Sequence, residues 1–235
     1  MREKRNLHLH EEILLLALRD KKGTTEIGSC YPMAMGGAVI AELILGGRVK
    51  IEESRWKSKL ITLKDGTPFG DPVLDEFLGK IARSKRRSDV KSWVSRIAHW
   101  GKLKKTTAEG LRRKGILRKE EGKVLGIFPT TRWPERDPRP EKALVDRLRR
   151  AIVSDARALD PRTAILIGLT KRGNLLGNVI DKRVLKDRKK RIERIAKGEM
   201  VARETGQAID DAVAAAVMVA VIIPVIASSA ATGGS

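Results

Sequence analysis

The chain of 235 residues holds a single cysteine, Cys30. One thiol excludes an internal disulfide and fits a reducing compartment. Aromatic residues make up only 3%, which argues against a surface built to stack bases. Histidine is scarce as well. His8, His10 and His99 form no ligand set with Cys30, so surface or capping roles are expected for them. The opening stretch MREKRNLHLHEE has no apolar h-region, and no secretory signal is expected from it. No Walker-type phosphate loop, GxSxG or HExxH occurs. The sequence points to no catalysis, no metal and no other cofactor.

What the chain does have is positive charge. Lys and Arg number 49 against 29 Asp and Glu, a net +20. A field of that sign attracts polyanions: nucleic acid, anionic lipid headgroups or acidic proteins. The charge alone does not choose among them. The length suffices for a sizeable core.

Residues 8–22, HLHEEILLLALRDKK, read as a helix with Glu11 and Glu12 in its first turn, Arg19 to Lys22 in its last and Gly23 as C-cap. Its apolar run is too short to span a bilayer. A second helix is expected at about 32–45, where Ala34, Gly36, Gly37 and Ala38 allow close packing. Glu42 is nearly alone in that apolar stretch and calls for a buried arginine or helix-end partner. Residues 48–63 read as two short strands or an extended arm. Asp71 and Pro72 open a helix with an apolar stripe at Val73, Leu74, Phe77, Leu78 and Ile81. SKRRSD is a polar link, and Val90, Trp93, Val94 and Ile97 form the next stripe.

Further helices are expected in DPRPEKALVDRLRRAIV, in TAILIGLTKRG after Asp160 and Pro161, and in the very basic 184–197. The run from 212 to 235 carries no charge. As a helix from Ala212 to Ala227 it would rise roughly 24 Å, short of a ~30 Å hydrocarbon core. A buried last helix is the first expectation, with a membrane tail or an interface helix as alternatives. The sum is a mainly α fold with one or two β-hairpins. Residues 1–228 are expected to form a single domain and 229–235 a disordered tail.

The segment HWGKLKKTTAEGLRRKGILRKEEGKVLGIFPTTRW concentrates the functional signals. Lys102, Lys104, Lys105, Arg112 and Arg113 would each add about 1 kcal/mol near an anionic bilayer if they share a face. Val124, Leu125, Ile127 and Phe128 at a hairpin tip would insert, or would contact a second subunit or the protein's own body. The same segment also has the outline of a helix followed by a wing, which makes nucleic acid the alternative partner.

Five segments in order resemble the Golgi phosphoprotein 3 family, including its bacterial members: LHLHEEILLLALRDKKG, GGAVIAELILGGRV, GDPVLDEFLGKI, LRRKGIL and TAILIGLTKRGNLLGNVI. The resemblance implies a helical domain of apolar core helices wrapped by amphipathic ones, with a projecting β-hairpin, here on RKEEGKVLGIFPTT. Eukaryotic members are cytosolic peripheral membrane proteins. They recognise phosphatidylinositol 4-phosphate through a basic pocket and retain glycosyltransferases by their cytoplasmic tails. In that family the hairpin is associated with membrane contact or self-association. The pocket's tryptophan position falls on Ile27, one arginine position on Gly36, a second near Gly101 beside Lys102, and a third on Lys104. What carries over is attraction to an anionic surface. The expectation is a non-catalytic, cytoplasmic, peripherally membrane-associated protein. Its expected partners are anionic membrane lipids, tails of membrane proteins and, through the hairpin, a second copy of itself.

Overall fold

Capping residues and apolar spacing set most of the elements, and a few contacts distant in sequence set the rest. The structure is a computed structural model that describes residues 7–18, 23–25, 30–54, 58–124, 127–201 and 206–222. Helix α1 (Leu9–Ala17) is buried along its whole length. It stops at Ala17 rather than running to residue 22, because Leu18 turns extended and bridges Thr25. Gly23 is not its C-cap. A Cβ there would sit 2.3 Å from the Pro134 nitrogen, and the Gly23 carbonyl accepts from the Trp133 amide at 3.1 Å. Close backbone approach, at a positive φ of 58°, is what requires glycine at this position.

Helix α2 (Tyr31–Leu45) leads into an antiparallel hairpin, β1 (Val49–Glu53) with β2 (Lys59–Leu63), registered Val49 to Leu63. In α3 (Pro72–Ala82) the Asp71 carboxylate accepts from the Val73 and Leu74 amides, both at 2.9 Å. In α4 (Val90–Ala98) Asp89 accepts from Ser92 at 2.7 Å. Both caps satisfy helix-end amides, Asp71 as its sequence position predicts. Then come α5 (Leu103–Arg113), the hairpin β3 (Glu120–Val124) with β4 (Phe128–Arg132), α6 (Arg139–Val153) and α7 (Pro161–Arg172). The chain continues through α8 (Leu176–Val179), α9 (Lys182–Asp187), α10 (Lys189–Ala196) and α11 (Gln207–Ile222).

The basic segment 184–197, expected as one helix, breaks at Arg188. The second piece turns Ile192 and Ile195 into the core. Its Arg191 donates to the carbonyls of Ala151 and Ala156, closing the end of α6. These partners lie some forty residues away and leave no local signal.

Helix α2 is the hub, packed by α1, α3, α4, α7 and α11. In α11 the small side chains Ala212, Ala215 and Ala216 are buried. The uncharged segment, as far as it is described, is therefore a core helix. Pro224 and the expected tail 229–235 lie outside the described residues. Among the described residues no helix is long and apolar enough to cross a membrane.

One polar cluster ties the core together. Glu42, in α2, accepts from both Nη atoms of Arg162 in α7, at 2.8 and 2.9 Å, and from the Leu9 amide at 2.7 Å. His8 Nδ1 lies 3.5 Å from the same carboxylate, and Arg162 also donates to the Leu7 carbonyl. This is the partner that an isolated carboxylate in an apolar helix demands. Burial alone would raise the Glu42 pKa. The hydrogen bonds from His8 and Arg162, with the Leu9 amide, outweigh burial and bring it down from 4.5 to about 2.

The unfolded carboxylate takes up its proton near 4.5 and the folded one near 2, so unfolding binds a proton between those values. Stability is therefore present above pH 4.5 and lost as pH falls toward 2, by about 3 kcal/mol in all. Urea unfolding across that range should show the loss, and Glu42→Gln should flatten it. Arg162→Met, which leaves a buried charge unpaired, should cost on the order of 3 kcal/mol at pH 7. Packing gives a second expectation. A Cβ on Gly36 would lie 2.6 Å from the Val94 carbonyl across the α2–α4 contact. Gly36→Ala should therefore lower the thermal midpoint, costing about 1–3 kcal/mol by overpacking.

Candidate functional site

Helix α5 carries the cationic cluster because its apolar residues, Leu103, Thr107, Ala108 and Leu111, take one face and leave the other to lysine and arginine. Glu11 of α1 holds it from beneath, accepting from Lys114 Nζ at 2.5 Å just past the helix end. Lys105 and Arg112 stand two turns apart on one stripe, with Lys102 and Arg113 beside them. All four side chains are exposed. Lys104 is one residue out of phase. It turns toward the buried side, is half-buried, and burial lowers its pKa. The structure thus gathers four of the five expected cations on one face and sets the fifth apart.

An acid that sequence reading did not single out, Glu109, sits within that face and accepts from Arg112 Nε at 2.6 Å. The spacing of three residues was the available signal. Lys102, Lys105 and Arg113 have no carboxylate partner among the described residues.

The hairpin β3–β4 follows directly. Its base is anchored by buried Trp133, by the bridge from Leu117 to Glu135 and by the Arg118 amide on the Pro134 carbonyl. Glu120 and Glu121 are exposed and pair locally with Arg118 and Lys119. The Lys119 ammonium holds Glu121 below the usual carboxylate range, and Lys105 adds a weaker pull. In sequence the hairpin begins seven residues after the end of α5.

Along the strands Val124 and Phe128 form the last cross-strand backbone pair before the turn. Leu125 lies outside the described residues. Ile127, in the turn, is 73% exposed, the most exposed large apolar side chain among the described residues. The strands β3 and β4 form a two-stranded sheet of their own.

Among the described residues, the positions at which the family resemblance puts a lipid pocket carry one basic side chain, Lys104. Gly36 is buried against Val94 and has no room for a side chain. Gly101 is exposed, with open space where a Cβ would be. Lys104 is turned aside, and Ile27 lies outside the described residues. Among the described residues no group of three or more His, Cys, Asp or Glu could hold a metal ion.

The comparison with known proteins agrees with the architecture. The vacuolar protein sorting-associated protein 74 of Schizosaccharomyces pombe is 26% identical over 226 residues, covering 83% of this chain and 66% of the relative. This chain therefore spans a little under two thirds of that relative's length. The family model described as Golgi phosphoprotein 3 (GPP34) matches residues 9–217. A match over most of the length, on a helical core that carries its hairpin between the fifth and sixth helices, makes this chain a member of the Golgi phosphoprotein 3 family.

Proposed function

We propose that this chain is a non-catalytic peripheral protein of anionic membrane surfaces. It docks through the exposed face of α5 and inserts the β3–β4 turn. The observation that supports this reading is the exposure of four cations, Lys102, Lys105, Arg112 and Arg113, on a helix followed closely in sequence by a hairpin turn that leaves Ile127 bare. Glu109 offsets one of the four charges. Net attraction is then about 3 kcal/mol, at roughly 1 kcal/mol per cation near an anionic leaflet. Full burial of Ile127 would add about 1.5–3 kcal/mol. Neither term anchors a protein firmly by itself, and together they suffice for reversible attachment.

Lys104 contributes less than its neighbours, because its side chain does not share their face. Val124, Leu125 and Phe128 flank Ile127 in the sequence and are proposed to enter with it. The headgroup is read by charge rather than by a phosphoinositide pocket, since Gly36 leaves no room for an arginine. The name of the matched relative supports a role in protein sorting, and the tails of membrane proteins are the proposed cargo.

Flotation with phosphatidylglycerol vesicles, run beside a gel shift on random duplex DNA, tests the reading. Lys102→Glu with Lys105→Glu and Arg113→Glu changes the charge of the face by six units. It should weaken vesicle binding at least tenfold at low salt and less at high salt, where screening has already removed much of the attraction. Ile127→Asp should instead remove the part of binding that survives high salt. Vesicle binding unchanged by the triple reversal would overturn the proposal. So would duplex DNA bound more tightly than vesicles, which would favour the helix-and-wing alternative. An Ile127→Asp chain that binds vesicles normally but changes oligomeric state would make the hairpin a contact between copies.

A further inference from the structure

The loop 83–87, Arg-Ser-Lys-Arg-Arg, reads in sequence as a polar link, yet it borders a recess built from three elements. A cavity of about 190 Å³ opens between β2, the end of α3 and the start of α4. Ile61, Thr62, Ser84, Arg86, Arg87 and Trp93 line it. It shares no residue with the α5 face or the hairpin.

Three observations make this recess more than a solvated charge run. First, its cations are in excess. Of the two arginines that line it, Arg86 has no carboxylate partner among the described residues, and Arg87 has only Glu52, at 2.8 Å, which also pairs with Lys50. Second, Trp93 is buried to 3% exposure, and its indole N–H has no acceptor among the described residues. A buried donor without an acceptor is unfavourable, so an acceptor supplied from outside is favoured. The Arg96 guanidinium lies 4.8 Å from the Trp93 ring centroid and adds positive charge behind it.

Third, the loop is held. The Ser84 hydroxyl donates to the Arg86 carbonyl at 2.7 Å, the Ile61 amide to the Ser88 carbonyl at 3.0 Å, and Asp89 both bridges to Leu60 and caps α4. Donors on a braced loop and a helix lose little freedom when they take up a ligand.

We infer that this recess is a binding site for a phosphate monoester. Arg86 and Arg87 offer forked donors at the recess and Trp93 a single buried one. Three oxygens on a tetrahedral dianion can meet that arrangement, whereas a planar carboxylate has two. The monoester belongs either to a small soluble molecule or to a lipid headgroup such as phosphatidic acid. The site stands independently of the reading of α5 and the hairpin.

The test follows the four tryptophan indole N–H signals in a ¹H–¹⁵N spectrum, with Trp93 assigned by its absence in Trp93→Phe. Glycerol 3-phosphate at constant ionic strength should shift the Trp93 signal saturably and leave the other three in place. Arg86→Gln, at an exposed position, should weaken that binding at least tenfold. Lys142→Gln, exposed and remote, should not. Flotation on phosphatidic acid against phosphatidylglycerol at matched surface charge separates the sources. A preference for phosphatidic acid that Arg86→Gln abolishes assigns the site to a headgroup, and a saturable Trp93 shift without that preference assigns it to soluble phosphates. Acetate acting as well as the phosphate ester, or a non-saturating drift of all four signals that Arg86→Gln leaves alone, would overturn the inference.

Discussion

The pairing of Glu42 with Arg162 is the interaction on which the rest of the structure depends. It sits where α1, α2 and α7 meet and ties these three helices together through one carboxylate. Apolar faces packed at similar density tolerate sliding and repacking. A bidentate ion pair that also accepts the Leu9 amide does not. From that point the arrangement spreads outward through α1. Glu11 takes Lys114 at the end of α5, and Glu12 takes Arg147 of α6 at 3.0 Å. The acidic first turn of one buried helix thus positions the two amphipathic helices on either side of the β3–β4 hairpin.

This arrangement changes how the net charge of +20 is understood. Part of the basic complement is internal architecture and, where it is paired with a carboxylate, adds nothing to the net charge. Arg162, Arg147 and Lys114 neutralise carboxylates of the core, and Arg191 closes a helix end. What remains for partners is the exposed set, and its distribution matters more than its sum. On α5 the helical phase gathers four cations and turns Lys104 away. In the loop 83–87 the cations border a recess instead of a face. The first arrangement suits a broad anionic surface, the second a single anionic group.

The elements that were legible in sequence are those whose causes are local. Asp71 and Asp160 cap the helices that follow them, and the apolar stripes of α3 and α4 are buried as their spacing predicts. The demand of Glu42 for an arginine was readable, although nothing pointed to residue 162. What was not legible depends on distant chain. Helix α1 ends early where Leu18 bridges Thr25, and nearby Gly23 is pressed against Trp133 and Pro134, more than a hundred residues away. The break at Arg188 belongs to partners in and beyond α6. The cationic run of α5 was visible as composition, but which members share a face depends on phase, and Lys104 falls on the wrong side of it. The recess beneath Arg86 was not legible, because its walls come from β2, α3 and α4.

The claim that the β3–β4 turn enters the membrane is tested most directly by depth. Cys30 is the single native cysteine, so Cys30→Ser with Ile127→Cys gives one site for a spin label at the tip of the turn. On phosphatidylglycerol vesicles, collision with oxygen should rise and collision with a water-soluble nickel chelate should fall relative to the free protein. A label at exposed Thr131, nearer the hairpin base, should remain more open to the chelate. A label at 127 that stays as accessible to the nickel chelate on vesicles as in solution, while the protein is bound, would contradict the account.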